Sequence, residues 1–311
     1  MIKEKKMVNL YWKNNNKITD VEEKPFINEA DFEKFIFDNQ NILGGDISII
    51  HRQIRSGTKD GIPDMIGIDT DNRICIIELK NVEANEDIVP QALQYAIWAE
   101  TNPDSIKSLW LECKNKPEDL KPDWDNLDIR ILLVAPNFKQ NVLKMSKKIN
   151  YPVELYKVRR YGISDNEFIS VEVLEAEDKK IVTTKAKEDW TWDFYEKEHD
   201  KKSMLQFKNV VEQIEDYCKR QNWNLPYNLN KYYTGFKSGT RVVFCVAWGA
   251  AYTWNVKFKI NDKDASAFKS ANWEFQRYDY SFKEALFKAK NPEKADISEL
   301  DPLFKKAYEG K

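Results

Sequence analysis

The sequence predicts an α/β protein: a mixed sheet flanked by helices, followed by a small α+β domain. Three observations carry this reading. Residues 28–173 alternate helical and strand periodicity. A charged stretch of weak periodicity follows at 175–189. Beyond it the pattern changes to one long amphipathic helix and an alternating hairpin. The 311 residues give room for two domains or one large one. The expected division is 1–177, a linker over 178–200, and an accessory domain over 201–311 that binds substrate or a partner.

The elements follow in order. Residues 28–39 read as a helix with Phe32, Phe35 and Ile36 on one face, and 46–55 as a strand. Two apolar strands, 62–68 and 73–79, flank the turn signal Asp69-Thr-Asp-Asn72. Residues 86–100 form a helix that Asp87 can cap, with Pro90 in the first turn, where proline is tolerated. The near-continuous apolar run 129–135 indicates a strand buried on both faces. A basic helix at 138–148 precedes strands at 153–158 and 168–173.

The C-terminal part opens with a helix over 203–221, where Leu205, Phe207, Val210, Val211, Ile214 and Tyr217 recur at helical spacing. Residues 241–248 and 252–260 read as a hairpin. On its second strand Trp254, Val256, Phe258 and Ile260 share one face, and Asn255, Lys257 and Lys259 share the other, the pattern of a half-exposed strand. A last helix is expected at 281–289.

Composition narrows the function. The chain is 42% apolar and 32% charged, and its mean hydropathy of −0.67 describes a well-solvated cytoplasmic surface. The longest apolar run, 242–254, is too short to span a bilayer and is interrupted by Gly249. The first six residues, Met1-Ile-Lys-Glu-Lys-Lys6, lack the apolar stretch of a signal peptide. Cys75, Cys113, Cys218 and Cys245 are far apart, which excludes a disulfide scaffold or a cysteine–zinc module. With only His51 and His199, any metal would be a hard cation held by oxygen. Net charge is −2, divided as −5 over residues 1–174 and +3 over 175–311, so no strongly basic coat is present.

The chemistry concentrates in Gly61-Ile-Pro-Asp64 and Ile76-Ile-Glu-Leu-Lys80. A hairpin centred near Asp71 pairs residues whose numbers sum to about 142, which sets Asp64 opposite Glu78 on one face. Lys80 shares that face because strands have period two. Two carboxylates this close are unfavourable unless a cation lies between them, and Mg²⁺ takes one or two carboxylates and leaves water and phosphate as its other ligands.

Asp64, Glu78 and Lys80 match a D-x(n)-E-x-K signature, and the sequence resembles the PD-(D/E)XK nuclease superfamily. Gln91 and Tyr95 look like the Q-x-x-x-Y motif of its RecB-like branch, and Glu33 resembles the acidic residue of the first core helix. The text around Arg52-Gln-Ile-Arg55, Gly61 and Gln91-Ala-Leu-Gln-Tyr95 is most similar to the archaeal-type mismatch-directed endonucleases. The resemblance covers about residues 28–135 and does not reach the C-terminal domain.

It implies a restriction-endonuclease-like fold and a Mg²⁺-dependent (or Mn²⁺-dependent) endodeoxyribonuclease acting on DNA. Asp64, Glu78 and the Leu79 carbonyl would be the metal ligands, and Lys80 would position or deprotonate the attacking water. Gln91 and Tyr95 would orient these groups, Glu33 would assist, and a homodimer follows by family analogy. The rival is a non-catalytic nucleic-acid-binding or interaction protein that kept the fold. Its mark would be a lost Glu78 or Lys80, and both are present.

Weaker candidates complete the set. His51 is a lone histidine beside a strand, while Arg52 and Arg55 suit either phosphate contact or surface pairing. Lys144, Lys147, Lys148, Lys157, Arg159 and Arg160 form a basic cluster of the first domain. Tyr232, Tyr233, Phe236, Lys237, Arg241, Lys257 and Lys259 mix aromatics with cations as single-strand binders do.

Overall fold

The computed structural model describes residues 10–52, 63–174, 190–249 and 253–310. Two strands not foreseen in the sequence, β1 (Leu10–Asn14) and β2 (Lys17–Glu23), form an antiparallel hairpin. Helix α1 (Glu29–Asp38) follows, started by Asn28, whose side chain accepts the Asp31 N–H at 2.9 Å. Strands β3 (Ile47–Arg52), β4 (Met65–Asp69) and β5 (Ile74–Leu79) pair antiparallel in turn. Helices α2 (Ile88–Thr101) and α3 (Pro103–Glu112) then cross to β6 (Ile129–Ala135), which runs parallel to β5. After α4 (Gln140–Ser146), β7 (Val153–Ile163) lies parallel to β6, and β8 (Asn166–Leu174) folds back antiparallel on β7. The result is one mixed sheet in the order β1-β2-β7-β6-β5-β4-β3, with β8 also on β7.

Every residue of β4, β5 and β6 is buried because both faces of the sheet are covered. Alternation sorts β5 into two layers. Ile74 and Ile76 pack with Val89, Ala92, Tyr95 and Ala96 of α2. Cys75, Ile77 and Leu79 pack with Phe32 and Ile36 of α1 on the opposite face. The position of a β5 residue in the alternation therefore decides which helix it meets.

The second domain begins with α5 (Trp192–Glu198) and α6 (Lys201–Arg220), the latter capped by Asp200. Six antiparallel strands follow: β9 (Tyr227–Leu229), β10 (Tyr233–Ser238), β11 (Arg241–Trp248), β12 (Trp254–Phe258), then, after α7 (Asp262–Ala267), β13 (Trp273–Asp279) and β14 (Glu284–Ala289). Their order is β13-β14-β12-β11-β10-β9. Helix α6 and the closing α8 (Asp301–Glu309) cover one face with Phe207, Val211, Ile214, Leu303 and Phe304. All four cysteines are free, and no described helix is long and apolar enough to cross a membrane.

Several expectations need correction. Residues 281–289 are not a helix but lead into β14. Ala285, Phe287 and Ala289 face α6 and α8, while Leu286 is buried on the other side, so apolar residues on both faces of a strand imitate helical spacing. Leu205 lies off the stripe made by Met204, Phe207, Val211 and Ile214 and is 59% exposed. Residues 190–200 are not free linker, because Tyr195 of α5 is wholly buried and its hydroxyl donates to the Tyr233 carbonyl at 3.0 Å. The earlier part of that expected linker, with residue 177, lies outside the described residues.

The largest correction concerns Lys257 and Lys259. The face they share is not open to solvent, because it packs toward the first domain. Lys257 pairs with Glu284 at 2.9 Å and with Asp119 of the first domain at 3.2 Å. Lys259 pairs with Glu284 at 3.1 Å and donates to the Gly45 and Phe282 carbonyls at 3.1 and 2.8 Å. Arg277 adds contacts to Glu118 and Asp119, both at 2.6 Å, and Phe282 enters the α2-side core of the first sheet. Burial opposes ionisation of Glu284, but its two ammonium partners outweigh that and hold its pKa at about 2.

Glu284→Ala leaves two buried ammonium groups without this shared partner. We expect a loss of about 3–5 kcal/mol in urea-induced unfolding. A loss below about 1 kcal/mol would mean that Glu284 does not stabilise the two buried lysines.

Candidate active site

The β4–β5 ladder pairs Met65 with Ile77 and Ile66 with Ile76. One step further along the same register sets Asp64 opposite Glu78, as the hairpin arithmetic anticipates. The Leu79 N–H donates to Asp64 Oδ2 at 2.8 Å, which pins that carboxylate across the hairpin end. Glu78 and Lys80 stand at even-numbered positions, with Ile74 and Ile76, on the α2 face. Beyond Glu78 the Lys80 N–H donates to the Val134 carbonyl at 3.0 Å, continuing the pairing of β5 with β6.

Glu78 is wholly buried. Its Oε1 accepts from Lys80 Nζ at 2.8 Å, and its buried Oε2 has no hydrogen-bond partner among the described residues. Helix α2 contributes Gln91, whose Nε2 donates to the Tyr95 hydroxyl at 3.2 Å. The Tyr95 pKa is raised by burial first and then by the charges of Glu78 and Asp64, so this pair faces the carboxylates.

Burial and the Asp64 charge together outweigh Lys80 and push the Glu78 pKa up to about 8, from 4.5. Burial by itself would lower the Lys80 pKa, but Glu78 overrides it, and the ammonium holds its proton more tightly than usual. The centre thus lacks positive charge. An orphaned buried carboxylate oxygen opposite a second carboxylate fits a hard divalent cation. Among the described residues no group of three or more His, Cys, Asp or Glu is assembled to hold a metal. A cation here would rest on Asp64, Glu78, the Leu79 carbonyl, water and substrate oxygens, a donor set suited to Mg²⁺.

Glu33 is the acidic residue of the first helix singled out in the sequence. It is buried on α1, beside Phe32 and Ile36 of the opposite layer, and its Oε1 pairs with Arg52 Nε at 3.5 Å. Glu29, one turn earlier, is the α1 carboxylate whose charge raises both Glu78 and Lys80. Sequence reasoning missed it, although its spacing of four from Glu33 puts both on one helix face.

His51 is lowered by burial and feels Glu112 rather than the site carboxylates. Arg52 is also spent over the Phe37 ring, at 5.4 Å, and Arg55 and Gly61 lie outside the described residues. The basic cluster divides: Lys157 pairs with Glu172 at 3.4 Å, Arg159 donates to the Pro136 carbonyl at 2.9 Å, and Arg160 pairs with Glu167 at 2.5 Å. Lys144 and Lys148 instead flank an apolar groove with Val89 and Met145. Of the C-terminal aromatics, Phe236 is core, Tyr233 is buried and Tyr232 is exposed.

No family model matches the chain. Over 120 residues it is 28% identical to Endonuclease NucS of Pyrococcus horikoshii, covering 39% of this chain and 38% of that protein. The match is a similarity of part of the first domain to that endonuclease. Among solved structures, the chain is similar to one described as an EndoMS–dsDNA complex, at 21% identity and a TM-score of 0.28 over 40% of this chain and 43% of that one. A repair endonuclease from Pyrococcus abyssi is 26% identical with a TM-score of 0.27, over 40% and 45%. The match to NucS thus spans well under half of either protein.

The raised Glu78 pKa has a definite sign. Its stabilising effect is full below the ordinary 4.5 and is lost as pH rises through about 8. Glu78→Gln should therefore flatten the decline of metal-free stability between pH 5 and 8. At pH 8 the variant should exceed the wild type by on the order of 1–3 kcal/mol. Thermal melts in EDTA at both pH values read the difference, and a variant less stable at pH 8 would contradict it.

Proposed function

We propose that this protein is a metal-dependent nuclease that hydrolyses DNA phosphodiester bonds, with the first domain supplying the chemistry. The observation that carries the reading is the wholly buried Glu78, with its unpartnered Oε2, opposite Asp64 and bonded to a protonated Lys80. Such charges at the end of an apolar hairpin weaken the fold unless a ligand uses them. DNA as the substrate rests on the NucS-like character of the first domain.

Asp64, Glu78 and the Leu79 carbonyl would hold Mg²⁺ or Mn²⁺. When bound, such a cation polarises the scissile phosphate and makes an attacking water acidic near neutral pH. Asp64 is kept in place by the Leu79 N–H. Lys80, whose ammonium is bonded to Glu78, would position or deprotonate the attacking water and offset the charge that grows on the phosphorane. Gln91 and Tyr95 stand on the facing helix and orient the phosphate from that side. Cutting both strands calls for two such centres, which a homodimer would supply.

Incubation of the purified protein with supercoiled and linear DNA, in Mg²⁺, Mn²⁺ or EDTA, tests the reading. We expect cleavage with either metal and none in EDTA. Glu78→Ala and Lys80→Ala should each slow it by roughly 10²–10³-fold or more with unchanged circular dichroism. Full cleavage by Glu78→Ala would reject the mechanism. DNA binding without cleavage in the wild type would favour the non-catalytic rival.

A further inference from the structure

A cleft of about 300 Å³ opens where the second domain meets the first. Asn41 and Gly45 line it from the first domain, and Arg241, Lys259, Lys283 and Lys306 from the second. Two of these four cations are neutralised locally: Lys259 by Glu284 at 3.1 Å, and Lys306 by Asp264 at 2.5 Å. Among the described residues Lys283 has no carboxylate partner, and its ammonium donates to the Asp38 carbonyl at 3.4 Å. Arg241 has neither a side-chain hydrogen bond nor an ion pair among the described residues, although it is half-buried. Burial lowers its pKa, with no carboxylate near enough to raise it again.

A half-buried guanidinium without a counter-ion among the described residues keeps its donors free for an anion that enters the cleft. Arg241 is the first strand residue after the turn through Gly239, and the next residue, Val242, donates its N–H to the Gly44 carbonyl at 3.3 Å. The docked domains therefore hold Arg241 in position at the cleft. A planar fork of donors that shares its cleft with the Lys283 ammonium suits a tetrahedral oxyanion.

We propose that this interdomain cleft is a phosphate-binding site, taking either a backbone phosphate of bound nucleic acid or the phosphoryl group of a free nucleotide. It is separate from the catalytic centre. The β3–β4 register places Ile47 beside Asp69 and Arg52 beside Met65, so Gly45 and Asp64 lie toward opposite ends of the hairpin. The separation is on the order of 20 Å along the strands, or about six nucleotides of a duplex strand. The backbone-phosphate form rests on the DNA-nuclease reading, whereas the anion site itself does not.

The test compares the wild type, Arg241→Ala and the catalytic variant Glu78→Gln, all as the full chain in EDTA. The probes are inorganic phosphate against chloride at matched ionic strength, adenosine monophosphate, and a short DNA duplex. Phosphate should raise the melting temperature of the wild type and of Glu78→Gln but not that of Arg241→Ala. In chloride, Arg241→Ala should melt no lower than the wild type, because the guanidinium has no partner to lose. Calorimetry should show at least about ten-fold weaker phosphate or nucleotide binding in Arg241→Ala. If duplex affinity falls by a similar factor, the ligand is a backbone phosphate; if only phosphate and the nucleotide lose affinity, it is a free nucleotide. Anion and duplex binding that are both indifferent to Arg241→Ala would overturn the proposal. A lowered melting point in chloride with undiminished anion binding would overturn it as well, by making Arg241 structural.

Discussion

Two carboxylates face each other across the end of an apolar hairpin, and the first domain is arranged around holding them there. Asp64 is tied to the backbone of β5, and Glu78 is sealed beneath α2 with one oxygen satisfied and the other not. Their mutual repulsion in a dry setting is the cost of the arrangement. The uniformly buried strands β4, β5 and β6 keep the pair from relaxing into water. Had either residue stood one position along its strand, it would enter the α1 layer and the pair would not exist. Lys80 compensates in part, and the remaining deficit is what a divalent cation would fill.

This geometry was legible in the sequence because a short turn fixes the register. Asp69 accepts N–H groups from Asp71 and Arg73 at 3.0 and 2.9 Å, and Asn72 takes a left-handed conformation with φ of 63°. Those are local events, and with the turn located the partner of Asp64 follows by counting. The helix bearing Gln91 and Tyr95 was equally readable, since a separation of four along a helix sets two side chains on one face.

What stayed hidden depends on contacts distant in sequence. Lys257 and Lys259 alternate with apolar residues as any half-solvated strand does. Nothing local announces that Glu284 and Asp119 will neutralise them in an interface. Strand β14 imitates helical spacing because Leu286 is buried on the face opposite Ala285 and Phe287. The β1–β2 hairpin gave no signal because it has little core face: Tyr11 and Ile18 remain 60% and 63% exposed. Glu33 and Glu29 share a helix face, and the pairing of Glu33 with Arg52 and the charge of Glu29 on Glu78 both depend on how α1 packs. The second domain thus reads as a docked module in which Lys257 and Arg277 reach Asp119 of the first domain.

The central claim is that Glu78 and Asp64 form a divalent-cation site. It is tested most directly by titrating Mn²⁺ into the metal-free protein and following the free ion by electron paramagnetic resonance. The wild type should take up Mn²⁺ at the site, and Glu78→Gln should bind there at least about ten-fold more weakly, as expected when a charged ligand is lost. Equal uptake by the two proteins would show that the buried pair does not hold the metal.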